Sequence, residues 1–315
     1  MDGSQHDVRL VIFRFDADNV DALNRSVTSA LDRVTTPGPG RKDVPEVDAA
    51  IGVQDLEAGR FHLLLVHRID YRPDHISGIG DLVVFSEPRF APPRADSLQL
   101  ATPAYYRRQE NLRPGIGDDR DGKLTKDAAP WLARRLGGSA RDVHASIGFV
   151  SDSEPWVYCA AHYRGTRDLQ RLRARFAGYD YTATTAIVDA DDFAIRLGID
   201  FALSFDNAKH ASLSVLEAAV LEQARYSTSL KQDGTIDTFI HVYHGPVHYA
   251  DQSGVIESQD DFAAPVGGSK AWFAKKTDLE WQSEYRFAVG TIDRPVEPRL
   301  RIPVSPELRE LTRAL

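Results

Sequence analysis

The residues best placed to do chemistry stand near the end of the chain, in the run Trp281-Gln282-Ser283-Glu284-Tyr285-Arg286-Phe287-Ala288-Val289. Polar and apolar residues alternate here. An extended strand therefore turns Trp281, Ser283, Tyr285, Phe287 and Val289 to one face, and Glu280, Gln282, Glu284 and Arg286 to the other. The first face reads as core. The second lines up two carboxylates, an amide and a guanidinium. Spacing alone allows a set of side chains aligned for chemistry or a solvated strand face on which Glu284 pairs with Arg286.

A second group is His241, His244 and His248. Imidazole is the commonest metal ligand near neutral pH, so three histidines on a hairpin turned at Gly245-Pro246 could serve a metal-dependent hydrolase or nuclease. Against this, His241 and His244 have opposite parity on a strand and no acidic residue lies among them. The alternative is surface or hydrogen-bonding histidines, and no metal is assigned. Cys159 and His162 also differ in parity, which makes Cys159 a small core residue rather than a nucleophile. The chain has no Gly-x-x-x-x-Gly-Lys phosphate loop, Gly-x-Ser-x-Gly elbow, His-Glu-x-x-His helix or Gly-x-Gly-x-x-Gly turn.

The elements that must position these groups belong to a chain of 315 residues, 42% hydrophobic, with a formal charge of −8 and one cysteine. That composition supports a sizeable core and excludes disulfide scaffolds, thiolate metal clusters and disordered or collagen-like chains. No apolar run reaches the length of a membrane span. The start of the chain lacks the basic and apolar regions of a secretory signal, so the expected location is cytoplasmic. Basic residues are scattered except around Arg164, Arg167, Arg171, Arg173 and Arg175, which read as a solvated helix face.

Alternating or apolar runs predict strands at 8–15, 61–69, 82–85, 144–150, 156–163, 181–188, 238–243, 247–249, 272–275, 284–289 and 300–304. Helical spacing predicts helices from Val20 to Val34, through Leu169, Leu172 and Phe176 to a stop at Gly178, through Phe193 and Leu197 to a cap at Gly198, and after a capping box at Ser214 and Glu217. Ser305-Pro306 opens a last helix. Residues 87–130 are rich in Pro, Gly, Asp and Arg and read as loop-rich, with room for local structure from Leu98 to Arg108. This mixture is an α+β fold with mixed, largely antiparallel sheets and flanking helices. It divides softly into 1–130, with a loop-rich end, and 131–315, the candidate catalytic region. The two can pack as one domain.

Two resemblances extend the reading. The run Trp281-x-x-Glu284-Tyr-Arg286, with Val242-Tyr243-His244 and the Trp156 to Tyr163 segment upstream, resembles an uncharacterised bacterial family often met near phage-defence genes. That family's C-terminal hallmark is a Lys-rich strand followed by Trp-x-x-Glu-x-Arg, and the likeness covers about residues 144–304. In chain order, Tyr163-Arg164-Gly165, Ser227-Thr228-Ser229 and Gln282-Ser283-Glu284 also resemble the Arg, Ser-Thr-Ser and Gln/Glu-x-Glu elements of the mono-ADP-ribosyltransferases.

The second resemblance implies a split β-sandwich in the C-terminal half and NAD as substrate. Glu284 would stabilise the ribose as its bond to nicotinamide breaks, with Gln282 orienting the acceptor and Ser227 holding Glu284. Arg164 would pair with the pyrophosphate, and Tyr243 and Arg286 would join the nucleotide-binding set. The acceptor could be protein, nucleic acid or water, which makes the chain a transferase-like or NAD glycohydrolase effector of phage defence or a toxin-like system, with a partner protein or antitoxin. Two other classes stay open: a non-catalytic sensor or interaction component, and the metal-dependent enzyme built on the histidines.

Overall fold

The computed structural model describes residues 11–14, 48–55, 60–69, 81–110, 121, 123–136, 146–150, 155–204, 238–250, 254–255, 271–290 and 297–315. Its strands, in chain order, are β1 Val11–Arg14, β2 Ala49–Asp55, β3 Arg60–Arg68, β4 Asp81–Ser86, β5 Ser97–Ala101, β6 Lys123–Asp127, β7 Ser146–Val150 and β8 Trp156–Tyr163. They continue as β9 Ala183–Ile187, β10 Thr238–Pro246, β11 His248–Tyr249, β12 Gly254–Val255, β13 Ala274–Lys275, β14 Glu284–Gly290, β15 Arg299–Pro303 and β16 Thr312–Ala314. The α-helices are α1 Pro103–Glu110, α2 Ala129–Leu136, α3 Gly165–Ala177, α4 Ala190–Ser204 and α5 Pro306–Glu310.

The architecture is α+β. An 11-stranded sheet has the order β1-β2-β3-β10-β14-β8-β4-β9-β16, with β5 pairing both β8 and β15. Its pairings are antiparallel except that of β10 with β3. Two small sheets, β11-β13 and β12-β6-β7, accompany it. Strands from both sides of residue 130 thus share one sheet, with β3 beside β10 and β4 between β8 and β9. Among the described residues no helix is long and apolar enough to cross a membrane.

Strand alternation sends one set of side chains to the main core. Leu64, Val66, Val242, Tyr285, Phe287 and Tyr158 meet Phe193, Leu197 and Phe201 of α4 there, all buried. Gly198, expected to cap this helix, lies inside it. A Cβ at that position would fall 2.6 Å from Leu64 Cδ1 and 2.7 Å from Val242 Cγ2. The glycine is therefore what lets α4 lie close on β3 and β10. Ser305 does cap α5, its side chain accepting from Leu308 N–H at 3.2 Å.

The opposite sheet face is divided. Leu172 of α3 packs with Val83 and Ala161, while Ile69, Val157, Phe273 and Ala288 form a separate cluster. Between these apolar patches the sheet carries its charges. Within the loop-rich stretch at 87–130, the local structure expected from Leu98 to Arg108 is β5 and α1, while β6 and the start of α2 are short elements that the frequent Pro, Gly and charged residues obscure in sequence. The expected helix at 20–34 and the capping box at Ser214 lie outside the described residues.

Candidate functional site

The strand expected from Trp281 begins instead at Glu284. Residues Thr277–Gln282 form a 3-10 helix, and Ser283 takes a left-handed conformation with φ 48° and ψ 44° while its N–H bonds to Glu280 C=O. This turn breaks the expected alternation of Gln282 with Glu284. It also fixes the start of β14, because the Ser283 carbonyl accepts from His162 N–H at 2.7 Å and the Glu284 N–H donates to the Tyr249 hydroxyl at 2.8 Å. Gln282 still reaches the site, its side-chain oxygen accepting from Lys275 Nζ at 3.1 Å.

On β14, Glu284 and Arg286 are not a solvated pair. Arg286 is 0% exposed and Glu284 6%. The Arg286 guanidinium donates to Glu284 Oε1 through Nε at 2.5 Å and grips Asp121 with both terminal nitrogens, at 2.6 and 2.8 Å. Lys275 Nζ lies 2.6 Å from Glu284 Oε2 and 3.9 Å from Asp121 Oδ2. The Asp121 carbonyl in turn accepts from Arg107 at 2.6 Å. Two cations and two anions thus close a compact buried quartet whose charges sum to zero.

Burying four ions costs several kcal/mol per ion before mutual attraction offsets it. Burial would raise the Glu284 carboxyl, but Arg286 and Lys275 outweigh it and hold the group well below the usual carboxylate range. Burial would likewise lower Lys275 and Arg286, yet the two carboxylates raise both. Glu284, Lys275 and Arg286 are therefore ionised at neutral pH. Cys159, opposite Arg286 on β8, has its thiol pushed up by burial and then by Glu284, which keeps it protonated. Burial also raises the Tyr106 phenol, with Cys159, Glu284 and Asp121 adding to the shift.

Beside the quartet lies an aromatic patch. Tyr243 of β10 stacks on His67 of β3 with centroids 4.4 Å apart, and meets the Trp272 ring edge-on at 5.3 Å. His67 Nε2 and His241 Nδ1 share a hydrogen bond of 3.1 Å. Trp272 joins patch to quartet, because its carbonyl accepts from Arg286 at 2.5 Å. The β10–β14 register pairs Tyr243 with Ala288 and Gly245 with Arg286, which puts both groups on one sheet face.

The remaining sequence-chosen residues fall differently. Arg164 is exposed just ahead of α3, where its backbone N–H donates to Asp168, and among the described residues it shares no hydrogen bond or ion pair with Glu284. Ser227 lies outside the described residues. The three histidines do not converge. His244 points to the α4 side, 2.9 Å from the Tyr285 hydroxyl and 3.7 Å from Asp191, whereas His241 faces the other way. The expected turn at Gly245-Pro246 is absent because β10 runs through both residues. Among the described residues no group of three or more His, Cys, Asp or Glu could hold a metal ion.

The sequence reading missed Asp121, Tyr106, His67 and Trp272 as site residues. Asp121 sits in a stretch where acids and arginines abound, so nothing marks it. Lys275 carried a signal in the Lys-rich strand preceding Trp-x-x-Glu-x-Arg. Comparison with family models, with curated proteins and with solved structures finds no match.

Proposed function

We propose that the protein is an NAD-consuming enzyme of ADP-ribosyltransferase-like or NAD glycohydrolase type, acting in the bacterial cytoplasm as an effector of phage defence or of a toxin-like system, with Glu284 at the reacting centre. The observation that carries this reading is a carboxylate buried between two cations and kept ionised by them. Breaking the bond between nicotinamide and ribose sends its electron pair to the departing pyridine nitrogen and leaves positive charge on the ribose. A fixed anion lowers the energy of that state, and preorganised charge is often the largest contribution to catalysis. Water or a protein or nucleic-acid nucleophile then bonds to the anomeric carbon and loses its proton to solvent.

In this reading Gln282, tied to Lys275, orients the acceptor, and Tyr243 lies with the ring that leaves. Arg164 and Ser227 keep the pyrophosphate and carboxylate-positioning roles implied by the resemblance, and the split β-sandwich belongs to the same proposal, whereas Arg286, expected in the nucleotide-binding set, is fully buried with its guanidinium on Glu284, Asp121 and the Trp272 carbonyl and serves to hold Glu284. The test is to follow nicotinamide released from NAD by wild-type protein and by Glu284→Gln with unchanged circular dichroism. Release that falls at least a hundredfold in the variant supports the reading. Equal release, or none from the folded wild type with candidate partner proteins present, overturns it.

A non-catalytic sensor or interaction component is favoured by one observation: both Glu284 oxygens are already engaged and the quartet is neutral without a ligand. In that case the cluster anchors β13 and Asp121 to β14, and Glu284→Gln lowers the melting temperature with no NAD turnover to lose.

A further inference from the structure

We infer that the outward face of α3, with Trp281 at its end, is a docking surface for single-stranded nucleic acid. The inference does not rest on the NAD reading. Arg167, Arg171 and Arg175 follow one another four residues apart, so their side chains form one stripe about 12 Å long. All three are exposed, while Leu169, Leu172 and Phe176 pack toward the sheet. Arg313 of β16 is exposed as well. Its register with Ala186, and through Ala186 with Val83, adds a cation on the side of the sheet that α3 covers.

A face that merely keeps a helix in water mixes charges of both signs. Over Gly165–Ala177, α3 instead has four arginines, no lysine and one acid. That acid, Asp168, is already committed, accepting from Arg171 at 2.6 Å and from the Arg164 N–H at 3.0 Å. Among the described residues no carboxylate pairs with Arg167 or Arg175. Like charges four apart on a helix repel. A row of phosphates relieves that repulsion, and guanidinium forks match phosphate oxygens.

The stripe ends on an aromatic ring. Arg175 Cζ lies 4.9 Å from the centre of the half-buried Trp281 ring, which also meets Phe176 with centroids 5.3 Å apart. A guanidinium held over an indole is a platform on which an unpaired base stacks. A duplex keeps its bases inside, and an acidic peptide or a lipid surface has none, so arginines and indole together fit a single strand. Its end would lie near the quartet, because Gln282 follows Trp281 and bonds Lys275, and Ala161 beneath Leu172 pairs with Glu284.

The test is fluorescence anisotropy of a labelled thymidine oligonucleotide of about ten nucleotides, longer than the stripe at about 3.4 Å per nucleotide, titrated with the full chain. The wild type is expected to bind, its log affinity falling against log salt with a slope of about −2, as for three phosphates on a single strand. The triple variant Arg167→Gln, Arg171→Gln, Arg175→Gln should flatten that slope and weaken binding at low salt at least about tenfold, with no loss of melting temperature. Should it fail to fold, Arg167→Gln alone, at an exposed position, should cut the slope by about 0.7. Trp281→Leu, which keeps an apolar contact with Phe176, should weaken binding about tenfold at unchanged slope. No binding at low salt, affinity unchanged in the arginine variants or in Trp281→Leu, or tighter binding of duplex DNA, polyglutamate or phosphatidylserine vesicles overturns the inference. The assay contains no NAD, so its outcome is separate from that of the nicotinamide measurement.

Discussion

Asp121 and Arg286 form a two-pronged ion pair across 165 residues of sequence, with oxygen–nitrogen distances of 2.6 and 2.8 Å. A guanidinium fork matches a carboxylate in this way where a lysine, a point charge, does not. The pair ties a residue outside the large sheet to one of its central strands, and Arg107 holds the same residue through its carbonyl at 2.6 Å.

Removing Arg286 leaves Glu284 and Asp121 buried and short of a cation, so Arg286→Ala is expected to cost about 3–5 kcal/mol. Arg286→Lys restores the charge without the fork and should recover part of it. Urea unfolding of Asp121→Ala, Arg286→Ala and the double variant will show a coupling energy above about 1 kcal/mol. Additive losses would mean that the two side chains act separately.

The quartet also makes stability depend on acid. Glu284 has a folded value of about 2 against an ordinary 4.5, so the unfolded chain takes up its proton first as pH falls. Its contribution, on the order of 3 kcal/mol, is present above pH 4.5 and is lost on descent toward pH 2. The stability gap between wild type and Glu284→Gln is expected to narrow across that window in denaturant titrations.

His241 acts at higher pH. Its imidazole falls from an ordinary 6.5 to about 3 through burial and the nearby His67. Below pH 6.5 the unfolded chain binds a proton that the folded chain refuses, so folding weakens by up to about 1.4 kcal/mol per pH unit. His241→Phe should remove one proton from that slope, measured as stability between pH 6.5 and 4.

Alanine favours helix over glycine by about 1 kcal/mol, yet Gly198→Ala is expected to destabilise the protein. The added methyl would meet Leu64 Cδ1 at 2.6 Å and Val242 Cγ2 at 2.7 Å, and overpacking of this kind costs about 1–3 kcal/mol. A raised melting temperature would show that α4 can draw back from the sheet.

Strong local periodicity made much of this fold legible in sequence. The expected strand at 156–163 coincides with β8, and the expected helix stop at Gly178 lies one residue past α3. Ser305 announced its helix through residue type alone. What failed depends on contacts far away in sequence. Gly198 looks like a cap until Leu64 and Val242 are seen beneath it. The alternation from Trp281 holds for β14, but a left-handed Ser283, a conformation serine seldom takes, cuts it off from Gln282. Glu284 and Arg286 were recognisable as partners by spacing. Their burial was not, because Lys275 and Asp121 that enclose them come from other segments.

The order of strands imposes an order of assembly. The β1-β2-β3 ribbon and the strands around β8, β4 and β9 are joined in the sheet through β10 and β14, whose residues lie beyond position 237. While the chain is being made, β3 and β8 therefore offer unfilled edges, which invite pairing with other chains. Closure waits for a parallel pairing between segments far apart in sequence, a slow kind of contact to form. Asp121 is synthesised long before Arg286, so any activity that depends on the quartet begins only after the ribosome has passed residue 286.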